Sequence, residues 1–242
     1  MSKIGVIGAM ETEIALLRDK MNEAGAVKTT EAGSLVFYEG KIGNTDVILV
    51  RSGVGKVNAA LCAQRLILQF GAEKVINTGI AGAMGGNLKI FDMVASTDAV
   101  YHDMDASFWG YKPGEIPQMK VSCFKADEKL VQAAQTAFKN INKDANRKMV
   151  AGRIASGDQF VADKDLKNHI KEICSPMCVE MEGAAIAHAC FLNNTPFLVL
   201  RCMSDMADET AEKDEGETKT SFSENEAARE SSEVMFELLK NI

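Results

Sequence analysis

The feature that most narrows the fold is an alternation. Short apolar runs rich in Val and Ile recur along the chain, and most lead into a stretch with apolar residues at helical spacing. Residues 3–9 (KIGVIGA) read as a strand buried on both faces. Residues 11–22 follow as a helix, with Ile14, Leu16, Leu17 and Met21 on one side. Strands are predicted at 35–39 and 46–51, with Gly43-Asn44 as the turn between them. A helix at 57–70 ends at Gly71, and a short strand covers 74–77. Further strands fall at 93–101, 150–156 and 196–202, with helices at 127–140, 163–174 and 223–240. Ser223 and Glu226 have the spacing of a capping box for the last helix. Strands alternating with helices predict an α/β fold: one domain, 1–242, with a mixed, largely parallel central sheet flanked by helices. The adjacent strands within 34–52 imply an antiparallel pair, and residues 209–220 read as a polar, charged connection.

Composition excludes several classes. The 242 residues are 46% hydrophobic and 25% charged, with a formal net charge of −7. A nucleic-acid or membrane-surface binder needs a basic face, which such a balance disfavours. No apolar run approaches the roughly 20 residues that span a bilayer. Cysteines at 62, 123, 174, 178, 190 and 202 form no CxxC pair. They read as reduced, mostly buried thiols of a cytoplasmic protein, with no metal site.

In sheets of this kind, ligands bind beyond the carboxyl ends of the strands. Residues able to do chemistry gather there: Met10 and Glu13, then Ser52-Gly53-Val54-Gly55, then Thr78-Gly79-Ile80. Asp158 and Phe160, Glu180-Met181-Glu182, and Arg201, Ser204 and Asp205 come later. The glycine-rich stretches at 5–8 and 52–56 read as tight strand-to-helix turns, and 78–82 as the next glycine-rich turn. Residues 5–8 lack the spacing of a dinucleotide-binding loop, and residues 52–56 that of a nucleotide-phosphate loop. His169 and His188 fall inside predicted helices, and His102 lies beside Asp103 in an aromatic loop at 103–118. With no Ser-His-Asp or Cys-His set, carboxylates are left as acid and base, one protonated and one ionised. Residues 179–183 (VEMEG) allow two readings: an acidic helix cap favoured by the macrodipole, or part of a pocket. Glu180 and Glu182 are two apart, so an extended backbone points them to opposite faces. Glu182 is then the pocket residue and Glu180 a structural or solvated partner.

At these positions the chain resembles the 5′-methylthioadenosine/S-adenosylhomocysteine nucleosidases of the purine nucleoside phosphorylase superfamily. The resemblance runs through IGAMETEI (7–14), SGVGKVNAA (52–60), NTGIAGA (77–83), YHDMDASFWGY (101–111), SGDQF (156–160), VEMEGAAIAH (179–188) and SDMAD (204–208). It implies hydrolysis of the N-glycosidic bond of small thioadenosine nucleosides, with no cofactor, by a homodimer. It implies that Glu13 activates water and that Asp205, held by Ser204, protonates the adenine leaving group. Phe160 would stack on adenine and the backbone of Val161 would read its edge. Met181 and Glu182 would grip the ribose, and Arg201 would help place water and ribose. Met10, Val54 and Phe222 would form the apolar tunnel for the 5′-alkylthio group, with Trp109 and Pro117 reaching the neighbouring subunit's pocket.

There are departures from the family's pattern. Ile80 stands where the family commonly has a serine near the catalytic water. Ala106 and Trp109 stand where a larger aliphatic and a phenylalanine are frequent, and the 209–220 segment is longer than usual. A phosphate-dependent phosphorylase, a nucleosidase for aminodeoxyfutalosine or 5′-deoxyadenosine, and a non-catalytic nucleoside binder are the competing readings.

Overall fold

The chain alternates as its hydrophobic pattern demands. The computed structural model describes residues 3–208 and 220–242. Strand β1 (Lys3–Gly8) runs into helix α1 (Glu11–Ala24), and strands β2 (Lys28–Ala32), β3 (Leu35–Ile42) and β4 (Thr45–Arg51) follow. Helix α2 (Lys56–Leu68), strand β5 (Lys74–Ala83) and strand β6 (Met93–Tyr101) come next. A 3₁₀ turn at Ser107–Trp109 interrupts the loop before strand β7 (Phe124–Lys125). Helix α3 (Glu128–Ile141), strand β8 (Met149–Ser156) and helix α4 (Lys164–Cys174) lead to strand β9 (Cys178–Glu180). Helix α5 (Gly183–Leu192), strand β10 (Phe197–Asp205) and helix α6 (Thr220–Lys240) complete the fold. Asp127 and Asp163 cap α3 and α4, accepting from the N–H groups of Leu130 and Leu166.

The ten strands among the described residues join one sheet. Parallel ladders link β1 to β4 and β5, β5 to β10, β6 to β8, and β8 to β9. Antiparallel ladders link β2 to β3, β3 to β4, β5 to β9, β6 to β7, and β6 to β10. Strand β5 is the hub. Its first half pairs with β1, most of its length with β10, and its last residues, Gly82 and Ala83, with β9. The circuit β5–β9–β8–β6–β10 therefore closes on itself.

Alternation along the strands feeds two cores. On β1, Ile4 and Val6 face α1, α3 and α6, where Leu17, Phe138 and Met235 are buried. Ile7 faces the other way, toward α2 and α5, with Leu66 and Ile186. Helix α5 is rich in alanine and buried on almost every side. Small side chains let it pack closely against α2 and the sheet.

Three expectations need correction. The stretch at 78–82 is not a turn: β5 continues through it to Ala83. The edge strand β2 and the two-residue β7 were not foreseen, because KTTEA lacks apolar alternation and a strand of two residues leaves no periodic signal. Helix α6 begins at Thr220, so Ser223 lies inside it rather than capping it. The charged connection falls almost wholly outside the described residues.

Candidate active site

The carboxyl ends of β1, β4, β5, β8, β9 and β10 converge on one cavity of about 230 Å³. It is lined by Met10, Glu13, Val54, Ile80, Phe160, Val161, Met181, Glu182, Ser204 and Asp205, all expected from the sequence. The parallel strands β1, β4, β5 and β10 bring their segments to one edge of the sheet. Strands β8 and β9, which run opposite to β5, reach it because β9 pairs with the last residues of β5 and closes the circuit.

Glu13 lies in the first turn of α1 and is almost fully buried. Its Oε2 accepts from the N–H groups of Ala9 at 2.6 Å and Met10 at 2.9 Å, and its Oε1 from Ile80 N–H at 3.1 Å. Burial raises its pKa, outweighing Arg201 and the three backbone donors, which lower it. A raised pKa makes it a stronger proton acceptor than a free carboxylate. Gly79 explains how Glu13 and Arg201 meet. A Cβ there would collide with Glu13 Oε1 and Arg201 Nη1. Gly79 and Gly82 sit within a strand because neighbouring side chains press against the backbone, not because the chain turns.

Arg201 is fully buried beneath the cavity rather than in its lining. Its Nη2 donates to Asn77 Oδ1 at 2.6 Å, pairs with Glu180, and lies 3.5 Å from Glu182 Oε2. Burial alone would lower its pKa, but Glu180, Glu182 and Glu13 raise it, so the charge is permanent. Arg201 Nε and Nη1 meet no hydrogen-bond partner among the described residues.

The two glutamates of 179–183 do not point to opposite faces. Strand β9 stops at Glu180, and Glu182 has φ −131° and ψ −40°, so period-two alternation ends before it matters. Both carboxylates line the cavity. Glu180 is buried and not solvated. It accepts from Ser156 Oγ, from Gly183 N–H at 2.7 Å and from Glu182 N–H at 3.1 Å. It thus caps α5 and pairs with Arg201, so both readings of the stretch hold at once. Glu182 Oε1 accepts from Gly55 N–H at 2.8 Å. Burial, then the neighbouring Glu180, pushes its pKa up to about 7.

Asp205 ends β10, where the β5–β10 register slips between Met203 and Asp205. The irregularity lets consecutive residues, Ser204 and Asp205, both face the cavity. Ser204 Oγ donates to Asp205 Oδ2 at 2.8 Å, and Ala207 N–H donates to Oδ1 at 2.7 Å. Lys167, from α4, holds the following loop through Met206 C=O and, at 3.2 Å, Asp208. A Cβ on Gly82 would come within 2.8 Å of Asp205 Oδ1, so glycine is needed there too.

Phe160 is 66% exposed at the mouth. Asp158, just ahead of it, accepts from Lys56 N–H at 2.9 Å, and its own N–H donates to Asp103 at 2.9 Å. Lys56 Nζ closes the triangle to Asp103 at 2.6 Å. His188 packs against Phe124, with ring centroids 4.8 Å apart, and Tyr101. His102 is buried, which lowers its pKa, and its ring presses on Gly157.

Trp109, Pro117 and Phe222 do not line this cavity. Trp109 and Phe222 are 74% and 71% exposed. Among the lining residues that the sequence reading did not assign are two with polar side chains, Gln159 and Glu224. Glu224 comes from the second turn of α6, and its pKa is raised by burial and by Asp205. Placing the helix start at Ser223 hid it. No group of acidic, histidine or cysteine residues among those described could hold a metal ion. No helix among them is long and apolar enough to cross a membrane.

Comparison with known proteins agrees with this geometry. Residues 3–240 match the model of the Phosphorylase superfamily. The chain is 40% identical over 240 residues to the 5′-methylthioadenosine/S-adenosylhomocysteine nucleosidase of Staphylococcus haemolyticus, covering 98% of this chain and 99% of that protein. The Neisseria meningitidis nucleosidase of the same name, in complex with methylthio-immucillin-A, is 36% identical, with a TM-score of 0.90 and full coverage of both chains. Futalosine hydrolase of Helicobacter pylori is 31% identical with a TM-score of 0.87, covering 100% of this chain and 98% of that one.

Proposed function

The chain belongs to the phosphorylase superfamily, and we propose that it works as an N-glycosyl hydrolase. It cleaves the N-glycosidic bond of 5′-methylthioadenosine and S-adenosylhomocysteine, releasing adenine and the 5′-thio-substituted ribose. One observation carries the choice of water over phosphate. The cavity lining holds Glu13, Glu180, Glu182, Asp205 and Glu224, and no lysine, arginine or histidine among the described residues. Phosphate would meet carboxylates there, whereas the positive charge that builds on the ribose at the transition state is favoured by them.

Each residue then has a task. Glu13 takes a proton from water as the water oxygen bonds to C1′. The electrons of the breaking C1′–N9 bond pass to adenine, and Asp205, held by Ser204, delivers a proton to N7. Glu182 holds the ribose hydroxyls, with Met181 against the sugar. Arg201 fixes Glu182 and, with its remaining donors, helps place the water. Ile80 offers Glu13 its N–H but has no side-chain donor for water. Phe160 stacks on the base and Val161 reads its edge through the backbone. Met10 and Val54 receive the alkylthio group.

The working unit is a homodimer in the cytoplasm. Exposed apolar side chains on α2 (Val57, Leu61) and the 3₁₀ turn (Phe108, Trp109) support the dimer, as a face that water alone would not favour. Across it, Trp109 and Pro117 reach the partner's pocket, and Phe222 closes the tunnel. Six free cysteines support a reducing compartment.

Adenine release from both substrates in phosphate-free buffer tests the reading. Turnover should be full and unchanged by added phosphate; a phosphate requirement would assign a phosphorylase instead. A second reading, a nucleosidase for aminodeoxyfutalosine or 5′-deoxyadenosine, is favoured by the likeness to futalosine hydrolase. Those nucleosides belong in the same assay.

A further inference from the structure

A second hollow, of about 300 Å³, adjoins the cavity through shared walls, Ala9, Met10 and Val54. The β1–β4 ladder builds it. Ser52 N–H donates to Gly8 C=O and Gly53 N–H to Ala9 C=O, so pairing continues beyond both strands. Residues just after β1 are thereby laid beside those ending β4. Glu11 and Arg51 thus face one groove, with Ser34 on its rim. Glu11 also accepts from Arg18. The exposed Arg51 guanidinium pairs with no acid among the described residues.

The main cavity is acidic and its tunnel wall apolar; the adjoining groove carries one cation, Arg51, unpaired among the described residues, and one anion, Glu11, which Arg18 already holds in place. That pattern suits a ligand with a neutral thioether stem and a zwitterionic end. Resting on the hydrolase reading, we infer that this groove is a subsite for the amino-acid tail of S-adenosylhomocysteine. Arg51 meets the α-carboxylate and Glu11 the α-ammonium. Methylthioadenosine ends at Met10 and Val54 and never enters it. Arg51 is a specificity residue: it selects among 5′-substituents and takes no part in bond cleavage.

The test compares kcat/KM for S-adenosylhomocysteine, methylthioadenosine and the uncharged 5′-propylthio analogue. Arg51→Gln should lower the first about fivefold, the scale of an exposed charge contact, and leave the other two within twofold. Arg51→Lys should restore most of the loss. In the unmodified enzyme, rising salt should weaken the preference for the charged tail over the propylthio analogue. A uniform change across all three substrates, or an unchanged rate for S-adenosylhomocysteine, overturns the subsite. If the unmodified enzyme releases no adenine from methylthioadenosine, the hydrolase reading itself fails, which is a separate result.

Discussion

Gly55 N–H donates to Glu182 Oε1 at 2.8 Å, across 127 residues of sequence. The bond joins the start of α2 to the start of α5. Glu182 is thus fixed from outside its own segment, while Glu180 is fixed by Arg201, Ser156 and the first turn of α5. Two acids two residues apart therefore have different duties.

Those duties separate in mutants. Glu180→Gln leaves Arg201 without its closest countercharge and should destabilise the protein by about 3 kcal/mol, the scale of breaking a buried ion pair. Glu182→Gln should keep most of the stability and lose turnover by about 10²-fold, through lost ribose contacts and charge stabilisation. Urea unfolding and steady-state kinetics on both variants decide it. Equal stabilities would mean that Glu180 does not hold the fold.

Glu182 also sets a pH dependence of stability. Its pKa rises from 4.5 to about 7 on folding, so the folded chain binds more protons in that interval. The stabilisation is fully present below about pH 4.5 and is lost as pH rises through about 7. The loss is at most about 3 kcal/mol. Glu13, also raised, acts with the same sign. Glu182→Gln should therefore gain stability relative to the unmodified protein between pH 5 and pH 8. Parallel pH curves for the two proteins would refute this.

Glu13→Gln and Asp205→Asn should each retain substrate binding and lose about 10²–10⁴ in kcat, the worth of a positioned proton transfer. Calorimetric binding of methylthioadenosine alongside single-turnover rates would measure both. A rate near that of the unmodified enzyme removes the residue from its role.

Gly79→Ala places a methyl where Glu13 Oε1 and Arg201 Nη1 already lie. Both neighbours are buried and tied, so neither moves freely. A displacement of about 1 Å in the base should cost about 10²-fold in kcat. Circular dichroism should show the fold retained. Activity within twofold would mean that the two side chains relax without consequence.

Much of this was legible in the residues. The strand-to-helix alternation placed β1, α1, β6, α3 and α4 to within a few residues, because the strands are apolar runs and the helices carry apolar residues at helical spacing. The ten cavity residues expected from strand ends and resemblance do meet. Other features were hidden for physical reasons. Gly79 and Gly82 resemble turn glycines locally, and only the neighbouring Glu13, Arg201 and Asp205 reveal close approach within a strand. Glu224 depends on where α6 begins, and the slip in the β5–β10 register that turns both Ser204 and Asp205 inward leaves no periodic mark.

The sequence by itself determined the layered α/β architecture, the edge of the sheet that holds the chemistry, and the residue types available there. Periodicity and chain direction are local, and they suffice for that. Tertiary structure alone decided which acid is paired with Arg201, which has its pKa raised to about 7, and that Glu180 shares the cavity. Burial and the distance between charges set those properties, and both depend on segments more than a hundred residues apart being brought together.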